Sequence, residues 1–204
     1  MNALTATAKG AATREAIIDR AHEIARFCGV EGLSIGPLAQ AVGMSKSGVF
    51  AHFGSREELQ LAVIESAATR FGNAVLIPAL SQPRGLPRLR AIMDNWFEWI
   101  RGNAGGCVLM GSVTEYDDRP GPLRDQVVRN EQRWREALGR SIQQAIEAGH
   151  LRDGDAEQYT FELYAFPLTV HHESGLFGYE SARRRGEAAV ERWLIAHSPD
   201  VGAH

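Results

Sequence analysis

The chain has 204 residues, 44% of them hydrophobic and 23% charged, with a formal net charge of -3. That composition is close to the globular mean and excludes a collagen-like or disordered chain, and the absence of any run of about eighteen apolar residues excludes a spanning helix. The charge also gives no global signal for nucleic acid, which clearly basic domains carry. Residues 1–60 balance as well, with Lys9, Arg14, Arg20, Arg26, Lys46 and Arg56 against Glu15, Asp19, Glu23, Glu31, Glu57 and Glu58. A DNA-directed function must therefore rest on where charges are placed.

The first residues lack a basic segment followed by an apolar run, which predicts a cytoplasmic protein with no membrane partner. Residues 1–12 are small and polar with scattered alanine and predict a disordered arm. From Thr13, read as an N-cap, Ile17, Ala21, Ile24, Ala25 and Cys28 recur at helical spacing until Gly29. Ser34 then caps a short helix with Ile35, Leu38, Ala39 and Val42 on one face and Pro37 in its first turn. Gly43 stops it, and Ser45 caps a third helix in which Val49 and Phe53 face inward. Ser55-Arg56-Glu57-Glu58 has the cap-and-acid pattern of a fourth helix running to about Leu80.

The turn cluster 81–87 precedes a helix with a wide apolar stripe of Leu89, Ile92, Met93, Trp96, Phe97 and Ile100. After Gly102–Gly106 comes a short apolar segment, Cys107–Val113, and a polar loop ending in Pro122. Three further helices are predicted over about 123–148, 155–177 with an interruption at Pro167, and 179–197. The fold class is thus all-α: a three-helix helix-turn-helix head plus a larger C-terminal helical bundle, about nine helices in total. The expected domains are the arm 1–12, a DNA-binding domain 13–55, a connecting helix 56–80, an effector and dimerisation domain 81–197, and a flexible tail 198–204.

A helix-turn-helix needs a small residue so the second helix can approach, a glycine with positive φ in the turn, and a branched apolar residue to lock the pair. Ala39, Gly43 and Val49 meet those needs. The outer face then holds Ser45, Lys46, Ser47, Phe50, Ala51 and His52, with no carboxylate from Met44 through Ser55. A plain helical hairpin is the competing reading, but a surface meant only for water would usually contain acids.

These residues resemble the tetracycline-repressor family over roughly residues 13–63. The resemblance is carried by Ile17-x3-Ala21, Phe27-x-Gly29, Gly32-x-Ser34-Ile35-x2-Leu38-Ala39 and Gly43-Met44-Ser45-Lys46-Ser47-Gly48-Val49-Phe50-x2-Phe53-x-Ser55-Arg56-Glu57-Glu58-Leu59. It implies a homodimer whose recognition helices enter successive major grooves of a pseudo-palindromic, double-stranded DNA operator. Carried over by position, Ser34 and Ser45 meet phosphates, Lys46 and Ser47 face phosphates or base edges, and Arg56, where the family usually has lysine, reaches the backbone. Phe50 departs from the family's usual tyrosine and lacks its phosphate-holding hydroxyl, a contact that His52 is the candidate to replace.

In the body, Met93, Trp96, Phe97, Trp99, Cys107, Met110, Tyr116, Trp134, Phe166 and His171 are the candidate lining of a pocket for a small, mostly apolar effector, against the alternative of plain core. His171-His172-Glu173 predicts no metal site, because adjacent helical residues point about 100° apart, and no cofactor is expected. Phe161, Leu163, Leu168, Leu176, Phe177, Val190, Trp193 and Leu194 mark the last two helices as the dimerising pair.

The reading is therefore a non-enzymatic, ligand-responsive regulator, a repressor released by its effector. The alternatives are a constitutive regulator with a ligand-free body and, from another class, a thiol hydrolase using Cys107 after Gly105-Gly106. Cys28 and Cys107 are expected as reduced, mostly buried thiols, with thiol sensing as the competing role.

Overall fold

The computed structural model describes residues 2–199, with side chains from residue 8. Among the described residues there are nine helices and no strand: α1 (Asn2–Cys28), α2 (Ile35–Ala41), α3 (Lys46–Phe53), α4 (Arg56–Ala79), α5 (Leu86–Gly102), α6 (Val108–Tyr116), α7 (Pro122–Glu147), α8 (Ala156–Phe177) and α9 (Tyr179–Ala196). None is long and apolar enough to cross a membrane. The tail expected over 198–204 lies outside the described residues from position 200 onward.

Several expected features differ. α1 starts at Asn2 where a disordered arm was expected, and Thr13 lies inside it, its hydroxyl donating to the Lys9 carbonyl at 2.9 Å rather than capping. Alanine at 3, 6, 8, 11 and 12 has the highest helix propensity of any residue, which a reading by apolar periodicity overlooks. α8 runs unbroken through Pro167 instead of being interrupted there. Proline removes one backbone bond, whereas Leu163, Tyr164, Pro167 and Val170 are all buried along the same helix, so packing outweighs the loss.

The chain forms two compact units, residues 1–69 with 105–130 and residues 70–104 with 131–204. The segment 105–130, expected in the body, thus belongs with the head. The first unit has a core of Ile17, Ala21, Leu33, Leu38, Val49, Leu59, Val63, Val108 and Tyr116, so α6 is a wall of the same core as α1 and α2. The second is built on α8 packed against α9 and α5. Its interior includes Leu89, Ile92, Met93, Phe97, Leu138, Ile142, Leu163 and Leu194.

What fixes the head to α6 is a carboxylate. Glu115 accepts from the backbone N–H of Val30 at 3.2 Å and of Glu31 at 2.9 Å, in the turn between α1 and α2. Gly29 makes room: its φ is +75°, and a Cβ there would lie 1.9 Å from Glu115 Oε1. On the other side of the turn, Gln60 of α4 donates to the Val30 carbonyl at 2.8 Å. Both elements therefore hold one turn whose backbone groups have no helical partners of their own.

In the second unit, α8 and α9 are joined by Glu162, which accepts from Trp193 Nε1 at 2.5 Å and from Gln158 at 2.8 Å. Trp193 in turn stacks on His197 at 4.0 Å and meets Tyr159 edge-on at 5.2 Å. The Gln158 bond first, then the Trp193 bond, hold the Glu162 carboxyl below its ordinary value, with His197 and Arg152 contributing.

Two outcomes follow. Gly29→Ala should destabilise the protein by roughly 2 kcal/mol in urea unfolding, because alanine strains a left-handed backbone and displaces the Glu115 carboxylate. Combining it with Glu115→Ala should add less than the sum of the single losses. Since Glu162 titrates lower folded than unfolded, its contribution is complete above the ordinary carboxylate range and is lost as pH falls through it. Glu162→Gln should therefore flatten the decline of melting temperature between about pH 5 and pH 3 while costing about 1 kcal/mol at neutral pH.

Candidate nucleic-acid interface

The corner between α2 and α3 closes on small and branched residues. Ala39 and Val49 are buried between Leu38 and Phe53, as their spacing predicts. The turn ends α2 with a paired closure: Met44 N–H donates to the Ala39 carbonyl at 2.9 Å and Gly43 N–H to the Gln40 carbonyl at 3.2 Å. That geometry places Gly43 at φ +67°, where L side chains are strained.

Ser45 caps α3, its hydroxyl accepting from Gly48 N–H at 3.0 Å and lying 3.0 Å from the Ser47 hydroxyl. The Ser45 hydroxyl is thus already used within the helix terminus, and both serines are exposed. Ser34 precedes α2 without a side-chain capping bond, so its hydroxyl is available to an outside acceptor. Ser55 caps α4 as expected, accepting from Glu58 N–H at 3.0 Å.

Lys46 is exposed and lies over Gly36: a Cβ at Gly36 would stand 3.2 Å from Lys46 Cε and 3.6 Å from Nζ. The end of its side chain thus rests against α2 while the residue stays exposed. Phe50 is 43% exposed, an apolar ring on the outer face of α3. His52 is half-buried in the last turn, its ring 6.5 Å from Phe53.

Arg56 is placed differently. Its Nε donates to the Leu33 carbonyl at 2.8 Å, and its Nη2 bonds the Glu31 carbonyl and pairs with the Glu31 carboxylate at 3.4 Å. The guanidinium is engaged with the turn before α2, a contact between residues far apart in sequence. A cation that sequence reasoning missed is Arg14, whose guanidinium lies 4.9 Å over the Phe53 ring at the end of α3.

The candidate pocket residues divide between the two units. Cys107, Met110 and Tyr116 belong to the first. Tyr116 is buried and its hydroxyl donates to Glu31 at 3.2 Å; burial, then the charges on Glu31 and Glu115, hold the phenol well above its ordinary value. Cys107 is half-buried at the N-cap of α6, and Cys28 is exposed, not buried, because α1 ends there and Val30 and Leu33 take over the core.

In the second unit, Trp96, Trp99 and Trp134 come together around Phe71, with ring centroids 5.4, 5.6 and 4.6 Å from it and all edge-on. Tyr164 joins through Trp96 at 5.4 Å. Phe71 was missed because it lies on the helix read as a connector. Met93 and Phe97 are instead part of the lining of a cavity of about 40 Å³ with Arg90, Asp94 and Glu187. Phe166 lines another, of about 210 Å³, with Val170, Glu173 and Arg185, the last two ion-paired at 2.8 Å. His171 is half-buried, its imidazole held below the ordinary value by burial and then by His172.

Residues 17–63 match the family described as bacterial regulatory proteins, tetR family, and residues 85–190 match the tetracyclin repressor-like C-terminal domain. No curated protein matches the sequence. Among solved structures, a TetR-family transcriptional regulator from Streptomyces coelicolor is 21% identical, covering 92% of this chain and 96% of that one, with a TM-score of 0.81. A TetR transcriptional regulator from Chloroflexus aurantiacus is 23% identical, covering 93% and 97%, with a TM-score of 0.80. AibR, solved in complex with isovaleryl coenzyme A and operator DNA, is 21% identical, covering 92% and 98%, with a TM-score of 0.69. At these identities the likeness is one of fold. The family matches add the sequence evidence for both ends, and together they establish that the chain belongs to the tetracycline-repressor family of transcriptional regulators.

Proposed function

We propose that the protein is a repressor that binds a pseudo-palindromic operator as a homodimer and leaves it when a small, mostly apolar effector binds the body. The observation that carries this reading is the outer face of α3 and the start of α2. Ser34, Lys46, Ser47 and Phe50 are exposed there, His52 is half-buried beside them, and no carboxylate occurs from Met44 through Ser55. Hydroxyls and a lysine on a short helix suit phosphate and base-edge contact in a major groove. Ser45 acts by holding the N-terminus of α3, and Arg56 by holding the turn before α2.

Phe50 offers no hydrogen bond, so its contact with DNA is apolar, against sugar or a thymine methyl. Phosphate contact at that end of α3 falls to His52. AibR, with both an acyl coenzyme A and operator DNA in its complex, supports a body that takes a ligand while the head addresses DNA. The effector acts by favouring a dimer geometry in which the two recognition helices no longer match successive grooves.

The dimer is assigned to α8 and α9. Phe161, Leu176, Phe177 and Ile195 on these helices are 64%, 63%, 69% and 71% exposed, an apolar surface that a second copy would cover.

Lys46→Ala should weaken operator and non-operator DNA alike and reduce the slope of log affinity against log salt by about one, read by fluorescence anisotropy at several salt concentrations. An unchanged slope would remove Lys46 from the interface. Leu176→Glu with Phe177→Glu should give a monomer in sedimentation velocity and lower operator affinity by at least a hundredfold, since a two-half-site complex would be reduced to one. A dimer that persists would move the interface elsewhere.

A further inference from the structure

The ring cluster of the second unit contains a donor with nothing to donate to. Trp134 is nine-tenths buried, its Nε1 is sealed from solvent, and it has no hydrogen-bond partner among the described residues. Around it stand Phe71 at 4.6 Å and Trp96 at 4.9 Å, both edge-on, with Trp99 and Tyr164 completing the group. Buried N–H groups are nearly always satisfied, because an orphan carries the whole desolvation penalty of the donor.

The other polar groups of the cluster are engaged. The Tyr164 hydroxyl donates to Glu131 at 2.5 Å. Arg135 stacks on the Tyr164 ring at 4.2 Å and lies 3.9 Å from the Glu131 carboxylate. Trp99 is half-buried, the most accessible ring of the cluster beside the buried Phe71, Trp96, Trp134 and Tyr164.

We infer that the Trp134 indole N–H is the polar anchor of the effector site and that the effector class is a neutral, ring-bearing molecule with one exposed carbonyl acceptor. This inference rests on the effector-pocket reading above and narrows it to one chemistry. Aromatic faces and edges give the apolar complementarity, and a single donor fixes orientation. An ammonium ligand is disfavoured, because the positive end of the N–H bond points at it. A carboxylate is disfavoured, because one neutral donor does not compensate the desolvation of a full charge. A carbonyl accepting from Trp134 Nε1 removes the orphan's penalty.

The test uses the full-length protein and two probes of nearly identical shape, 1-tetralone, which carries a ketone, and tetralin, which does not. By calorimetry, 1-tetralone should bind at least tenfold more tightly than tetralin, equivalent to about 1.4 kcal/mol. Trp134→Phe keeps an apolar ring and removes the donor, so it should abolish that preference, the two probes then binding the variant within twofold of each other. In the unmutated protein with nitrogen-15 indoles, the Trp134 side-chain resonance should move downfield on saturation with 1-tetralone and stay in place with tetralin, a readout that does not need the variant to fold. Equal binding of both probes, or a resonance unmoved at saturation because the N–H already points at a neighbouring ring face, would overturn the anchor while the pocket stood. Failure of both probes to bind at millimolar concentration would overturn the anchor and the pocket together.

Discussion

The turn between α1 and α2 has backbone groups that no helix satisfies, and the first unit is organised around supplying them. Glu115 accepts from the Val30 and Glu31 amides, Gln60 donates to the Val30 carbonyl, and Arg56 donates to the Leu33 and Glu31 carbonyls. Each partner comes from α4 or α6, so both helices hold the turn in its shape. α2 leaves directly from that turn, and α3 is fixed on α2 through Ala39, Gly43 and Val49. The direction of the recognition helix is thereby tied to a carboxylate that comes from α6, far along the chain.

This arrangement divides the charges of the first unit into two sets. Arg56, Glu31, Glu115 and the protonated Tyr116 hydroxyl face one another and hold the turn. Lys46, with Ser34 and Ser47, faces outward on elements that carry no acid. A domain that balances overall can in this way present a local face suited to phosphates, since interactions beyond a Debye length of about 8 Å are largely screened at physiological salt. Phe50 adds an apolar patch to the same face, where the family's usual residue would add a hydroxyl.

The corner at residues 34–53 was legible in the sequence because everything that makes it is local: a cap at Ser45, a left-handed glycine at Gly43, and apolar residues at helical spacing. The order of the helices was legible for the same reason. α6 was not assigned as a helix, since its nine residues follow two glycines and its N-cap Cys107 forms no side-chain capping bond. Its membership of the head depends on contacts such as Glu115 to Val30, for which periodicity carries no signal. The pocket candidates divide in the same manner: Met93 and Phe97, Phe166, Tyr116 and the tryptophans share a composition but stand in different places. Trp96, Trp99 and Trp134 were found by their bulk, whereas Phe71 and the engaged state of Arg56 depend on partners that only the folded chain brings near.

All four tryptophans of the chain, Trp96, Trp99, Trp134 and Trp193, lie in the second unit, and three of them share one ring cluster. The protein's near-ultraviolet emission is therefore an optical record of the body alone. The head holds phenylalanines and Tyr116 but no indole, and is almost silent at those wavelengths. Local melting of the helix-turn-helix would pass unseen by tryptophan fluorescence while registering in backbone circular dichroism, so the two signals, followed together, separate the events of the two units without any label.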